Sequence, residues 1–104
     1  MIRQFDVLEN PIRALRADRP YLVCIQHDHL GHLKTRLTAP LANKRVIAEE
    51  SRLHPAISVE RKSLFLLPHD LLALPLRLLG EPVANIEAGR ERIIAALDLV
   101  LTGV

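Results

Sequence analysis

The sequence predicts a small mainly β domain, an antiparallel barrel or sandwich that carries one C-terminal α-helix. Three observations predict it. Short runs of β-forming residues recur with turn residues between them. The last stretch alone carries apolar residues at helical spacing. The chain has 104 residues, the length of a single domain, so one unit is expected over residues 1–104. Hydrophobic residues make up 49% of it, but Phe5, Tyr21 and Phe65 are the only aromatics. The core must therefore be built from Leu, Ile, Val and Ala. A chain this short leaves much of its surface exposed, so further burial in a homodimer is expected.

The elements follow in order. Gln4 to Leu8 alternates around Phe5 and Val7, which predicts a short strand that Asn10-Pro11 breaks. Pro11 to Pro20 holds Arg13, Arg16, Asp18 and Arg19 among few apolar groups and reads as a solvated loop. Tyr21 to Gln26 is rich in β-formers and nearly continuous in apolarity, so it predicts a central strand buried on both faces. His27 to His32 is polar, contains Gly31 and turns the chain. Arg36 to Leu41 returns as a strand that ends near Pro40. Asn43 to Leu53 is charged and reads as a helical turn or an irregular crossing.

Pro55 opens an extended stretch in which Ile57 and Val59 alternate with polar neighbours. Arg61-Lys62-Ser63 reads as a hairpin turn, with Leu64 to Leu67 returning. Pro68-His69-Asp70 is a turn by composition. Leu74 to Leu79 reads as an edge strand, where Pro75 is tolerated. Asn85 is the expected N-cap of a final helix that runs to about Leu101. Ile86, Ile93, Leu97, Val100 and Val104 share its apolar face, with Ala95, Asp98 and Thr102 opposite. Gly103 suits the position just past the helix end.

Composition excludes several functions. A net charge of +2 with scattered basic residues and almost no aromatics argues against direct nucleic-acid binding. Cys24 is the only cysteine, so no intrachain disulfide forms, as expected in a reducing cytoplasm. The N-terminus lacks a signal-like apolar core, and no apolar run reaches the ~20 residues of a membrane span. A cytoplasmic protein without a membrane partner is expected.

Several motifs share their order and spacing with one family. They are Gln4-Phe5-Asp6-Val7 with Asn10-Pro11; Tyr21-Leu22-Val23 with Gln26 and Asp28; Pro40-Leu41-Ala42; Leu53-His54-Pro55; and Leu79-Gly80-Glu81 with Val83-Ala84. Together they resemble the CcdB family, the toxins of CcdA/CcdB-type toxin–antitoxin systems of plasmids and chromosomes, and the likeness runs from Phe5 to Val104. The resemblance implies an SH3-like barrel with a C-terminal helix, working as a homodimer. It implies a role in plasmid maintenance, in which the toxin binds the catalytic, A-type subunit of DNA gyrase and traps the cleaved-DNA complex. A CcdA-like antitoxin would oppose it. Carried over residue by residue, the gyrase-binding surface would be Asp28, His29 and Leu30 with Ala95, Asp98, Thr102, Gly103 and Val104. Antitoxin contacts would involve Asn10, Pro11 and Arg13 with Asn43, Lys44 and Arg45. The family usually ends in Trp-Gly-Ile, whose tryptophan anchors on gyrase; here Thr102 stands in its place. Weaker gyrase poisoning is the expected consequence.

No enzyme, cofactor or metal site is expected. His27, Asp28, His29 and His32 fall within six positions, and two imidazoles on one strand face can hold a metal. A solvated or hydrogen-bonded polar loop is the preferred reading of the same residues. Cys24 lies in an apolar strand, which predicts a buried and inert thiol. Ser51, Ser58 and Ser63 have no nucleophile motif, and Glu49-Glu50 reads as a solvated pair. Two alternatives stay open. One is a ribonuclease toxin like MazF and Kid, which resemble CcdB in fold, with Arg36, Arg61 and His27 as loose candidates. The other is a non-toxic CcdB-like protein that only binds an antitoxin.

Overall fold

A computed structural model describes residues 1–104. Strands β1 (Asp6–Glu9), β2 (Tyr21–Cys24) and β3 (Thr35–Ala42) form an antiparallel meander. Strands β4 (Ala56–Val59) and β5 (Lys62–Leu66) form a hairpin, and β5 joins the far end of β3 through Leu41 and Ala42. Strand β6 (Leu72–Pro75) pairs with the other half of β3, and the two-residue β7 (Ala84–Asn85) pairs with β1. The order β4-β5-β3-β2-β1-β7, with β6 beside β3, wraps into a nearly closed barrel. Helix α1 (Arg90–Thr102) follows the last strand. The fold is mainly β with one C-terminal helix, as the sequence predicts.

β3 is the hub because it is the only eight-residue strand and serves three partners. Pro40 does not end it. Leu22 stands opposite Pro40, and the carbonyl of Pro40 accepts the amide of Leu67 at 2.9 Å. Tyr21 to Cys24 are all buried, as expected of a central strand. The core joins Val7, Val23, Ala39, Leu41, Ile57, Leu64 and Leu66 of the barrel to Ile93, Ala96 and Leu97 of α1. Gly89, where the helix starts, sits against β4: a methyl there would meet Ile57 Cδ1 at 3.6 Å. The Arg90 guanidinium lies over the Phe5 ring, 5.4 Å from its centroid. The helix thus closes the barrel mouth with its first turns.

Four local expectations change. The hairpin turn is Glu60-Arg61, not Arg61-Lys62-Ser63, because Val59 pairs directly with Lys62. Leu74 to Leu79 is not one strand: β6 stops at Pro75 and Leu76 to Leu78 make a 3-10 turn. Asn85 ends β7, and its carboxamide oxygen accepts the Glu87 amide at 3.0 Å. A 3-10 turn, Glu87 to Gly89 with Ile86 at its N-cap, follows it, and α1 starts only after that turn. The expected apolar stripe also fails at its end. Ile93 and Leu97 are buried with Ala96, but Val100 and Val104 are exposed because the helix outruns the barrel beneath it.

Candidate functional site

The helix tail is the first candidate surface. Gly103 takes φ +81°, and its amide donates to the Leu99 carbonyl at 3.1 Å, which stops the helix. A side chain at that position would be strained, so the glycine has a backbone reason to be there. The Thr102 hydroxyl donates to the Asp98 carbonyl at 2.8 Å. Its polarity is therefore used within its own helix, and the group it offers outward is a methyl. Ala95, Asp98, Thr102, Gly103 and Val104 are all exposed, as one outward-facing strip. Leu101, 72% exposed, adds an apolar shoulder beside it.

The second is the loop after β2. His27 precedes a 3-10 turn, Asp28 to Leu30, and its Nδ1 accepts the His29 amide at 3.0 Å. The two imidazoles meet edge to face, 4.4 Å between centroids. Asp28 accepts the Gln4 amide at 2.8 Å and lies 3.6 Å from the Arg3 guanidinium. The hydrogen bond from Gln4, with help from Arg3, holds its carboxyl below the ordinary aspartate range. Beneath the loop, Arg36 is only 3% exposed. Its guanidinium donates to the carbonyls of Leu33 at 2.9 Å, Thr35 at 3.0 Å, Gly31 at 3.1 Å and Ile2 at 3.3 Å. Arg36 shapes this loop from inside and presents no charge outward.

Asp28, His29 and Leu30 are exposed, but the structure separates them from the helix tail. Asp28 holds Gln4, whose side-chain oxygen accepts the Arg90 guanidinium at 3.4 Å. That contact is at the first residue of α1. Thr102 lies twelve residues on, about 18 Å along the axis at 1.5 Å per residue. Within one protomer the two groups lie toward opposite ends of the helix.

The expected antitoxin segment after β3 is bonded to the 11–20 loop at Ala17 and Asp18, and not to its expected partners Asn10, Pro11 and Arg13. The Asn43 amide donates to the Asp18 carbonyl at 3.0 Å, and its side chain donates to the Ala17 carbonyl at 2.6 Å. Arg45 reaches the same Ala17 carbonyl and pairs with Asp18 at 3.2 Å. Arg13, Lys44 and Arg45 are exposed, and Pro11 and Asn43 are half-buried. Asn10 is different. It is fully buried, donating to the Arg19 carbonyl at 2.9 Å and accepting the Ile12 amide at 2.9 Å. It holds the loop and offers nothing to a partner.

Cys24 is fully buried, and burial pushes its thiol up from the ordinary range. Sequence reasoning reads His69-Asp70 only as a turn. The structure sets Asp70 2.9 Å from Arg19 and the His69 ring 5.4 Å from that of His54. No spacing signal links these residues, because 51 positions separate Arg19 from Asp70. No group of three or more His, Cys, Asp or Glu side chains converges in a way that could hold a metal.

A family model described as CcdB protein matches residues 4–103. Among solved structures, the chain is similar to an endoribonuclease in complex with its cognate antitoxin from Mycobacterial species. That match has 12% identity and a TM-score of 0.72, over 95% of this chain and 93% of the other. A second endoribonuclease from Mycobacterial species gives 14% identity and a TM-score of 0.73, over 95% and 89%. At such identities the likeness is one of fold. No curated protein matches the chain.

Proposed function

We propose, from the premise that this chain belongs to the CcdB family, that it is the toxin of a toxin–antitoxin pair and acts by binding the catalytic subunit of DNA gyrase. The observation that carries this reading is the family match over residues 4–103, which extends to Gly103 of the tail. The tail geometry supports it. Ala95, Asp98, Thr102, Gly103 and Val104 form one exposed strip on a helix anchored at its other end. Such a strip can shift gyrase toward the cleaved-DNA state only if it binds that state more tightly than the closed one. The loop residues Asp28, His29 and Leu30 would add contacts in a homodimer, where a second copy brings its own loop and tail. The antitoxin would bind the basic surface formed by Arg13, Lys44 and Arg45.

In this reading the protein binds and does not catalyse. The ribonuclease alternative rests on fold likeness, and Arg36, one of its three candidate residues, is enclosed by backbone carbonyls. The test is supercoiled plasmid incubated with purified gyrase and this protein, followed by denaturant trapping of cleaved DNA. Dose-dependent linear product supports gyrase poisoning. Unchanged gyrase together with specific cleavage of a model RNA would overturn it in favour of a ribonuclease.

A further inference from the structure

Strand β4 stands at one end of the sheet order, so one of its edges has no neighbouring strand. The register fixes which groups lie on that edge. Val59 pairs with Lys62 and Ile57 with Leu64, and the Pro55 carbonyl accepts the Leu66 amide at 3.1 Å. These residues turn their backbone groups toward β5, so Ala56 and Ser58 between them turn theirs away. Outward amides and carbonyls of this kind are a template on which another strand can pair. Such edges are commonly blunted by a charged side chain, a proline or a bulge within the strand. β4 has none of these: it reads Ala-Ile-Ser-Val.

The protection comes from outside the strand. Glu50 Oε2 accepts the Ala56 amide at 2.9 Å, and Arg92 Nη1 of α1 donates to the Ala56 carbonyl at 2.8 Å. The two side chains also meet each other at 3.5 Å. An acceptor stands on the donor and a donor on the acceptor, as a neighbouring strand would place them. Both side chains are more than half exposed, and an ion pair in that setting adds little stability. Its placement matters more than its attraction. No bond from a loop reaches the Ser58 backbone, and an open cleft of about 250 Å³ lies beside the pair, between Glu50 to Arg52 and Ala95.

We propose that Glu50 and Arg92 form a clasp over a self-complementary edge, and that the partner it keeps out is β4 of a second copy of this chain. Two β4 strands related by a two-fold axis at Ile57 run antiparallel, with Ala56 of one opposite Ser58 of the other. Each such pair exchanges an amide and a carbonyl in both directions, so every outward group of both strands finds a partner. Ile57 and Val59 stay buried in their own barrels. With the clasp shut, a second strand must displace a carboxylate and a guanidinium from their bonds to Ala56 before it can pair. This contact is separate from the helix tail and does not depend on the gyrase reading.

Two double variants test it. Glu50→Ala with Arg92→Ala opens the edge. Glu50→Arg with Arg92→Glu restores opposite charges at the same places, but sets a donor against the Ala56 amide and an acceptor against its carbonyl. In sedimentation at micromolar concentration, both should show a concentration-dependent doubling of mass over the unaltered protein. In hydrogen exchange, the Ser58 amide should slow by about tenfold or more in both. Adding Ser58→Pro, which removes an outward N–H and no bond to β5, should return the mass to that of the unaltered protein. A folded alanine variant of unchanged mass, association that leaves the Ser58 amide open, or a charge-swapped variant that behaves like the unaltered protein overturns the proposal. Loss of the barrel in the alanine variant, seen as collapsed amide dispersion, overturns it too, because the clasp then holds the fold and not an edge.

Discussion

Arg36 has a charge but no carboxylate partner, and it is nearly inaccessible. Four backbone carbonyls from two separate stretches of chain, Ile2 and residues 31–35, replace its hydration. Charge-assisted bonds of this kind are among the stronger single contributions to a fold. Arg36→Met keeps much of the bulk and removes every donor, so a loss of about 2–3 kcal/mol is expected, read as a lower urea midpoint. Arg36→Lys should recover part of it. The sequence could not reveal this role, since an arginine in a strand carries no mark of the carbonyls a loop will fold around it. The histidine loop was more legible: the proximity of His27, Asp28 and His29 follows from adjacency alone. Asp28 leads to a pH prediction. Its folded pKa lies below its unfolded value, so its contribution is present above the ordinary aspartate range and is lost as pH falls through the folded value. The Gln4 amide signal should therefore shift in acid below that range, and Asp28→Asn should abolish the shift. A Gln4 amide that follows the ordinary aspartate pKa would refute it.

Hairpins and helices were legible in kind and misjudged at their ends. The alternation of Ile57 and Val59 predicts β4, but the polar run Arg61-Lys62-Ser63 hides the start of β5. Lys62 and Ser63 are strand residues with exposed side chains, and polarity alone cannot tell such a strand from a turn. The actual two-residue turn has Glu60 at φ +49° and Arg61 at φ +68°. A two-residue hairpin turn of this type I′ kind needs left-handed residues at both positions, and Asn-Gly suits them far better than Glu-Arg. The double substitution Glu60→Asn with Arg61→Gly should therefore stabilise the protein by about 1–2 kcal/mol. At this size that raises Tm by several degrees in a thermal melt, ~4 °C or more. An unchanged or lower Tm would show that the turn is not under strain. The helix start follows the same logic. Asn85 carries a true cap signal, and its oxygen does accept an amide two residues on. The 3-10 turn that follows is closed by backbone bonds, from the Gly89 amide to the Ile86 carbonyl and from the Arg90 amide to the Glu87 carbonyl, and α1 begins only after it.

As a whole, the molecule ends in a helix that is longer than its support. Ile93, Ala96 and Leu97 are buried, whereas Val100, Leu101 and Val104 project beyond the barrel, 38%, 72% and 80% exposed. A folded chain of 11.7 kDa is expected to expose about 5,900 Å², and this one exposes 6321 Å². The excess, with apolar residues at the helix tip, favours a dimer in which two tails meet. A stable interface of ordinary size covers about 800 Å² per partner. Sedimentation equilibrium at micromolar concentration should find a dimer, and Leu101→Glu should give a folded monomer, because Leu101 contributes little to the core of one protomer. Finding the unaltered protein monomeric would refute this. The outer strip of the same helix allows a separate experiment. Under the proposed function, Thr102 presents a methyl where the family resemblance implies a tryptophan anchor, and truncating such an anchor costs ~2 kcal/mol or more. Thr102→Trp should therefore bind the gyrase catalytic subunit on the order of thirtyfold more tightly and raise the yield of cleaved DNA by a comparable factor at subsaturating protein. Thr102 faces solvent and its hydroxyl bond stays within the last turn of its own helix, so the substitution should move the melt little. If the unaltered protein already poisons gyrase strongly and tryptophan weakens it, the tail is adapted to a smaller pocket on its own target. If neither form changes the cleavage pattern, gyrase is not the target and the helix tail serves only the dimer.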